Sequence, residues 1–241
     1  MPGADDRYTY PGSGGVLRNQ FGLATEAELD EAMNDFATFN WAALLREPLP
    51  AKFDLAYLQH IHRTLLGQVV GDSQVGLWAG ELRLNAAPMA AIGEGTALPY
   101  GREEYMAAGL EDCFGSLAAK NQLVGLSAAE FFEELAEFWG YLTMIHPFRD
   151  GNTRSQTAFI DRLALNAGHP IAWAGIDVDL LRSYRLAAMS NSTPLAKYLS
   201  EHAVDPSDSS GTAAEDHSRI ALQMILDLVS QDERGGEPGE D

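Results

Sequence analysis

From Thr25 onward, apolar positions recur every three or four residues in a series of runs separated by short polar or Pro/Gly-bearing breaks. The first run begins with "TEAE", a Ser/Thr-x-x-Glu capping box, and predicts a helix from Thr25 to about Arg46 that stops at "EPLPAKF". The second, "DLAYLQHIHRTLLGQ", is capped by Asp54 and places Leu55, Leu58, Ile61 and Leu65 at helical spacing. Residues 71–100 lose the period and collect seven glycines or prolines, with "ELRLNAAPM" as the place for a short strand or hairpin. Helical spacing returns at "REEYMAAGLEDCFGSLAAKNQ" and again at Ser127. There a second capping box leads Phe131, Phe132, Leu135, Phe138, Trp139, Leu142 and Ile145 around most of the circumference, predicting a helix buried on nearly all sides. "SQTAFIDRLALNAG", stopped by Gly168, then "DVDLLRSYRLAAMSN" and "PLAKYLSEHA" complete the body. Before Thr25, the glycine-rich "MPGADDRYTYPGSGGVLRNQFG" reads as an extended arm. After His202, "DPSDSSGTAAED" reads as a linker, "HSRIALQMILDLVSQ" as one more amphipathic helix and "DERGGEPGED" as a disordered tail. The fold class is all-α with one small β feature.

One stretch breaks this scheme. Between two apolar helices lies "HPFRDGNTRSQT", His146 to Thr157, dense in polar and turn residues. Pro147 biases the residue before it away from helical geometry, so His146 is expected at a helix end, facing the loop. Gly151 admits positive φ and Asn152 tolerates it, and the next helix is expected to start around Thr153 or Arg154. Its first N–H groups and positive dipole end then point back into the loop. Two readings are open: a plain turn between core helices, or an anion site. In the second, the N–H groups cradle a phosphate, Arg154 neutralises another, Asp150 holds Mg²⁺ and His146 serves as general base.

Elsewhere the chemistry is sparse. His60 and His62 stand two apart on a helix, face different directions, and read as structural or surface residues. Trp41, Trp78, Trp139 and Trp173 are scattered and read as core. Arg182 and Arg185, in "LLRSYR", are candidates to reach a phosphate but fit a solvated face better. Cys113 fits a small core position.

Composition narrows the partners. The chain of 241 residues is 46% hydrophobic and carries a formal net charge of −19. Residues 205–241, with ten acidic residues and two arginines, hold −8 of it and leave −11 on the body. An acidic body argues against a nucleic-acid footprint, and a polyphosphate bound to it needs local cations. No run of 18 apolar residues predicts a membrane span, and the N-terminus has no signal-peptide pattern. A single cysteine excludes an internal disulfide and fits a reducing cytoplasm.

"HPFRDGNTR" resembles the signature of the Fic family, His-x-Phe-x-(Asp/Glu)-Gly-Asn-x-Arg-x-x-Arg. "YTYPGSGGVLRNQFGL", "FDLAYLQHIHRTLLG" and "WAGELR" are similar to the family's arm, helix and pre-flap segments, and the likeness runs from residue 7 to about 205. It implies an all-α, Fic-type helical bundle with a small β-hairpin flap. The expected division is arm and helix (1–50), core (51–204) and acidic tail (205–241). It further implies a protein adenylyltransferase that moves AMP from ATP, with Mg²⁺, to a hydroxyl of a target protein. In that mapping His146 deprotonates the hydroxyl, Phe148 anchors the loop, and Asp150 ligates Mg²⁺. Gly151, Asn152 and the Thr153 amide hold the α-phosphate, and Arg154 stabilises the departing pyrophosphate. The flap, about Arg83 to Tyr100, registers the target by strand addition.

Two positions depart from the signature. Thr153 stands where many members have glycine. Thr157 stands where the second arginine is expected, which in the family contacts the γ-phosphate and receives an inhibitory glutamate. A transferase using another nucleotide donor, or a silent Fic-fold binding module, is the alternative. No Ser/Thr-x-x-x-Glu-(Gly/Asn) motif occurs near either end, so a separate small antitoxin-like inhibitor is the expected partner, with no nucleic acid and no membrane. The expected location is the bacterial cytoplasm, with export to a host cell as a variant.

Overall fold

The computed structural model describes residues 7–84, 90–91 and 97–204. Its helices are α1 (Glu26–Leu44), α2 (Leu55–Leu66), α3 (Glu103–Ala119), α4 (Ala128–Ile145), α5 (Asn152–Ala167), α6 (Val178–Ala187) and α7 (Thr193–Ser200). Strands β1 (Ala90–Ala91) and β2 (Ala97–Leu98) pair antiparallel between α2 and α3, with Ala90 opposite Leu98. The helix starts follow local chemistry. Thr25, Asp54, Ser127 and Asp177 each accept a backbone N–H of the first turn, and at Ser127 the Glu130 side chain returns the bond to complete the box. Such caps contribute about 1 kcal/mol apiece. Gly168, at φ 83°, ends α5.

α4 packs against α7, α3, α6 and α5, while α1 lies on α2 and α2 on α5. The approach of α4 to the end of α6 requires a glycine. A Cβ on Gly140 would lie 2.1 Å from the Ala188 carbonyl oxygen. The four tryptophans are all buried in the common core, together with residues of the first fifty positions such as Leu29, Met33 and Leu44. Cys113 is buried on α3. No helix of the described residues is long and apolar enough to cross a membrane.

Three sequence expectations change. From Arg7 onward, where it is described, the N-terminal segment is not an extended arm. Its turn-forming glycines fold it back so that Thr9 bridges Leu17 and Asn19 bridges Val70, burying Tyr8, Val16 and Leu17. The described part of "ELRLNAAPM", Glu81 to Leu84, is not a strand, because the Arg83 N–H is already donated to the Pro147 carbonyl (2.9 Å). α4 is not buried on nearly all sides, since Glu130, Glu133 and Glu137 keep one face exposed, and the more completely enclosed helix is α5. Thirteen consecutive residues of α5, Asn152 to Ala164, are buried, polar ones included. The expected linker, helix and tail after residue 204, and residues 85–89 and 92–96 of the expected flap, lie outside the described residues.

Candidate active site

The break between α4 and α5 is a structured junction. His146 is the C-cap of α4 and takes left-handed geometry, φ 50° and ψ 65°. For a residue with a side chain this costs roughly 1–3 kcal/mol and persists only where the surroundings determine it. Here its N–H donates to the Leu142 carbonyl (3.1 Å), and its carbonyl accepts from Arg83 Nε (2.7 Å). The ring of Tyr100 stacks on the imidazole, with centroids 3.7 Å apart and planes 20° from parallel.

Phe148 is fully buried and fixes the loop to the core. The Asn152 side chain closes the loop around it, accepting from the Phe148 N–H (3.0 Å) and donating to the Phe148 carbonyl (2.8 Å). His62 holds the other wall. Burial lowers its pKa to about 4, so it is neutral near pH 7. The Gly80 N–H donates to its Nδ1 (2.8 Å), which leaves the proton on Nε2 to donate to the Asp150 carbonyl (2.8 Å). Gly151 sits at φ 72° with no room for a side chain, since a Cβ there would lie 2.2 Å from Leu66. It is the N-cap of α5 and offers no capping side chain. The carboxylate of Asp150 is about one-third exposed (35%) and lies 3.7 Å from the Arg154 guanidinium.

Two arginines converge on the first turn of α5. Arg154, nearly fully buried, donates to the Asn34 side chain of α1 (2.9 Å). Arg185 of α6 is also buried and donates to the Thr153 hydroxyl (3.1 Å). The solvated face expected for Arg185 is therefore wrong. It falls four residues after the buried Leu181, on the inward face of α6, whereas Arg182 stays partly exposed. Thr157 is buried one turn beyond Thr153, and among the described residues its hydroxyl has no hydrogen-bond partner.

The junction thus brings His146, Asp150, Gly151, Asn152, Thr153 and Arg154 into one stretch of loop and helix start. The Asn152 side chain is committed to closing the loop. α5 begins at Asn152, one residue before the expected start. Residues 60 and 62 divide as expected between surface and structure, with His60 bonded to Glu47 (2.8 Å). Sequence reasoning missed the contributions of Asn34, His62, Arg83 and Tyr100, and named Arg185 as a candidate without its burial. A usable signal existed for His62, a titratable residue at helical spacing with the apolar Leu58, Ile61 and Leu65. No group of three or more His, Cys, Asp or Glu suited to a metal occurs among the described residues.

A model of the Fic/DOC family matches residues 52–164. A protein adenylyltransferase of Bartonella henselae is 34% identical over 76% of this chain, which spans only about a third (34%) of that relative's length. The probable protein adenylyltransferase Fic of Escherichia coli K12 is 30% identical over 71% of this chain and 78% of its own. Among solved structures, the BepC effector of Bartonella tribocorum, crystallised with bound AMPPNP, superposes with a TM-score of 0.69 at 27% identity. That match covers 82% of this chain and 96% of the other.

Proposed function

Because the chain belongs to the Fic/DOC family, we propose that it transfers AMP from ATP to a hydroxyl side chain of a target protein. The observation that carries the reading is the α4–α5 junction, where a rigidly held His146 ends α4 and is followed, six positions on, by the glycine-capped start of α5 with Arg154 in its first turn. His146 takes the proton of the incoming hydroxyl. The hydroxyl oxygen bonds to the α-phosphorus as the bond to the β-phosphate oxygen breaks, and pyrophosphate leaves. Backbone N–H groups at Asn152 and Thr153, joined by that of Gly151 once it leaves the Asp150 carboxylate to which it donates, orient the α-phosphate, and Arg154 stabilises the charge that develops on pyrophosphate. Positioning and charge neutralisation supply most of the acceleration in such transfers.

Mg²⁺ fits this site. A cation that takes one carboxylate, several waters and phosphate oxygens needs only the partly exposed Asp150 from the protein. Bound there it would draw charge from the phosphate oxygens. The target segment adds as a strand along the flap, about Arg83 to Tyr100, where main-chain bonding tolerates varied side chains. The proposal extends to a bacterial cytoplasmic setting and a separate small antitoxin-like inhibitor.

A second reading has a specific support. Thr157, buried and neutral where the family signature has arginine, removes one cation from the far end of the nucleotide and admits another donor. We assign the replacement to Arg185, whose guanidinium sits one turn away at Thr153. Incubation with a cell lysate and ATP labelled at the α- or γ-phosphorus, alongside labelled UTP and GTP, tests both. Protein labelling from α-labelled ATP alone supports adenylylation. Labelling from UTP or GTP moves the assignment to that donor, and γ-phosphate transfer overturns the reaction type.

A further inference from the structure

We infer that Arg83 and Tyr100, which bracket the hairpin segment, are positioning residues for His146: a buried clasp through which the flap sets the angle of the base. This rests on the reading of His146 as general base. The starting observation is where the segment's two ends are tied. Its first residue, Arg83, is fully buried and donates from its backbone to Pro147 (2.9 Å), from Nε to the His146 carbonyl (2.7 Å) and from its guanidinium to the Ile145 carbonyl (3.2 Å). At the far end, Gly101 donates to the Met144 carbonyl (2.7 Å) and accepts from the same Arg83 guanidinium. Four successive carbonyls, 144 to 147, are thus held by the two ends of one segment.

The chemistry explains why arginine serves here. The last carbonyls of a helix have no intrahelical donor and carry the negative end of its dipole. A planar guanidinium satisfies several of them at fixed angles, whereas a lysine ammonium is a single flexible point charge. The peptide of His146 is therefore fixed in its left-handed geometry from outside the helix. Only the side-chain torsions remain, and Tyr100, next to Gly101, limits these by stacking on the imidazole. The proton-accepting nitrogen and the two tied ends of the segment, Arg83 and Gly101, then share one frame, and an error of about 1 Å between such groups and a target can cost on the order of a hundredfold in rate.

The test compares Tyr100→Phe, Tyr100→Ala, Arg83→Lys and His146→Ala in the full chain, reading kcat, KM for ATP and thermal midpoint, with the His146 ring-proton shifts by NMR in nucleotide-free protein. Tyr100→Ala should lower kcat roughly tenfold or more with KM for ATP unchanged, since the nucleotide is held by α5. It should also move the His146 ring protons downfield by removing the shielding of the stacked ring. Tyr100→Phe keeps the stack and should retain kcat within about twofold and the shifted resonances. Arg83→Lys should lose kcat in the same sense. Normal kcat and unchanged shifts in Tyr100→Ala, with His146→Ala inactive, overturn the clasp alone. Activity retained in His146→Ala overturns the base assignment on which it rests. If Arg83→Lys fails to fold, the Tyr100 pair decides.

Discussion

Helices α4 and α5 are neighbours in the same core, joined by six residues, and they are held by opposite means. α4 buries Phe131, Phe132, Leu135, Phe138, Trp139, Leu142 and Ile145 and is stabilised by apolar area. α5 buries thirteen residues in a row, and most of those in its first turns are polar. Their partners come from α1 and the loop after it, α2, α4, α6 and the turn at Trp173. Gln156 accepts from Thr143 of α4, and Arg154 bonds Asn34 of α1. Arg185 of α6 bonds Thr153, and Asp161 accepts from Trp173. Arg162 donates to the Leu44 carbonyl at the end of α1, to the Glu47 and Pro48 carbonyls beyond it (each 2.9 Å) and to the Tyr57 hydroxyl. Buried polar groups contribute little net stability when satisfied and cost heavily when not. The difference teaches a division of labour: α4 supplies the rigid post, and α5 accepts a less stable interior so that cations and N–H groups meet at its start.

The comparison breaks most sharply at the post's end. His146→Ala should reduce transfer by about 10²–10⁴-fold, the usual worth of a general base. Since Ala meets the same left-handed geometry, the thermal midpoint should stay within a few degrees. A retained rate, measured with α-labelled ATP, would show that α4 delivers no chemistry. The complementary change within α4 is Phe132→Ala, which should lower the unfolding free energy by about 3–5 kcal/mol in urea melts. Activity per folded molecule should hold, because Phe132 is buried near the start of α4, at the opposite end from His146. A matching loss of activity would contradict the division.

Acid sharpens it from the loop side. The folded pKa of His62, about 4, lies below the ordinary 6.5, so the unfolded chain binds the extra proton between those values. Stability from this group is complete above pH 6.5 and falls as pH drops toward 4, by about 3 kcal/mol in all. Melts in chelator should show that slope, and His62→Gln should abolish it; an equal slope in the variant excludes His62 as the source. The smallest effect concerns the second cation of α5. Arg185→Met should weaken ATP binding about tenfold by calorimetry, one charge-assisted contact, and Thr157→Arg added to it should recover most of the loss. Equal affinity in wild type and Arg185→Met would remove Arg185 from the nucleotide site.

The apolar half of this design was legible in the sequence, and the polar half was legible only locally. Periodicity marks α4 because leucine and phenylalanine at helical spacing have one physical use, and Thr25, Asp54 and Ser127 announce their helices because caps act within one turn. His146 to Arg154 stood out because proline, glycine and asparagine restrict backbone geometry over a few residues. Arg185 and Arg83 did not, since each is paired across long sequence distances, and an arginine read alone fits a solvated face. Arg83 meets residues 62 and 63 positions later, and Arg185 meets a threonine 32 positions earlier. For the same reason apolar periodicity predicts burial for α4 and says nothing of it for α5. Burial of α5 depends on an acceptor from α1 and a donor from α6 that no window along the chain contains.

The lone cysteine, finally, gives the molecule a clock. Burial on α3, reinforced by Asp112 beside it, pushes the Cys113 thiol up to about 12, and a thiol in that state does not react with electrophiles near neutral pH. A maleimide or disulfide probe therefore registers only those molecules in which the α3–α4 packing has come apart. The rate of labelling counts such openings directly, at equilibrium and without denaturant. The same silence makes the natural chain a blank background, so that a cysteine placed at any exposed position becomes the sole reporter in the ensemble.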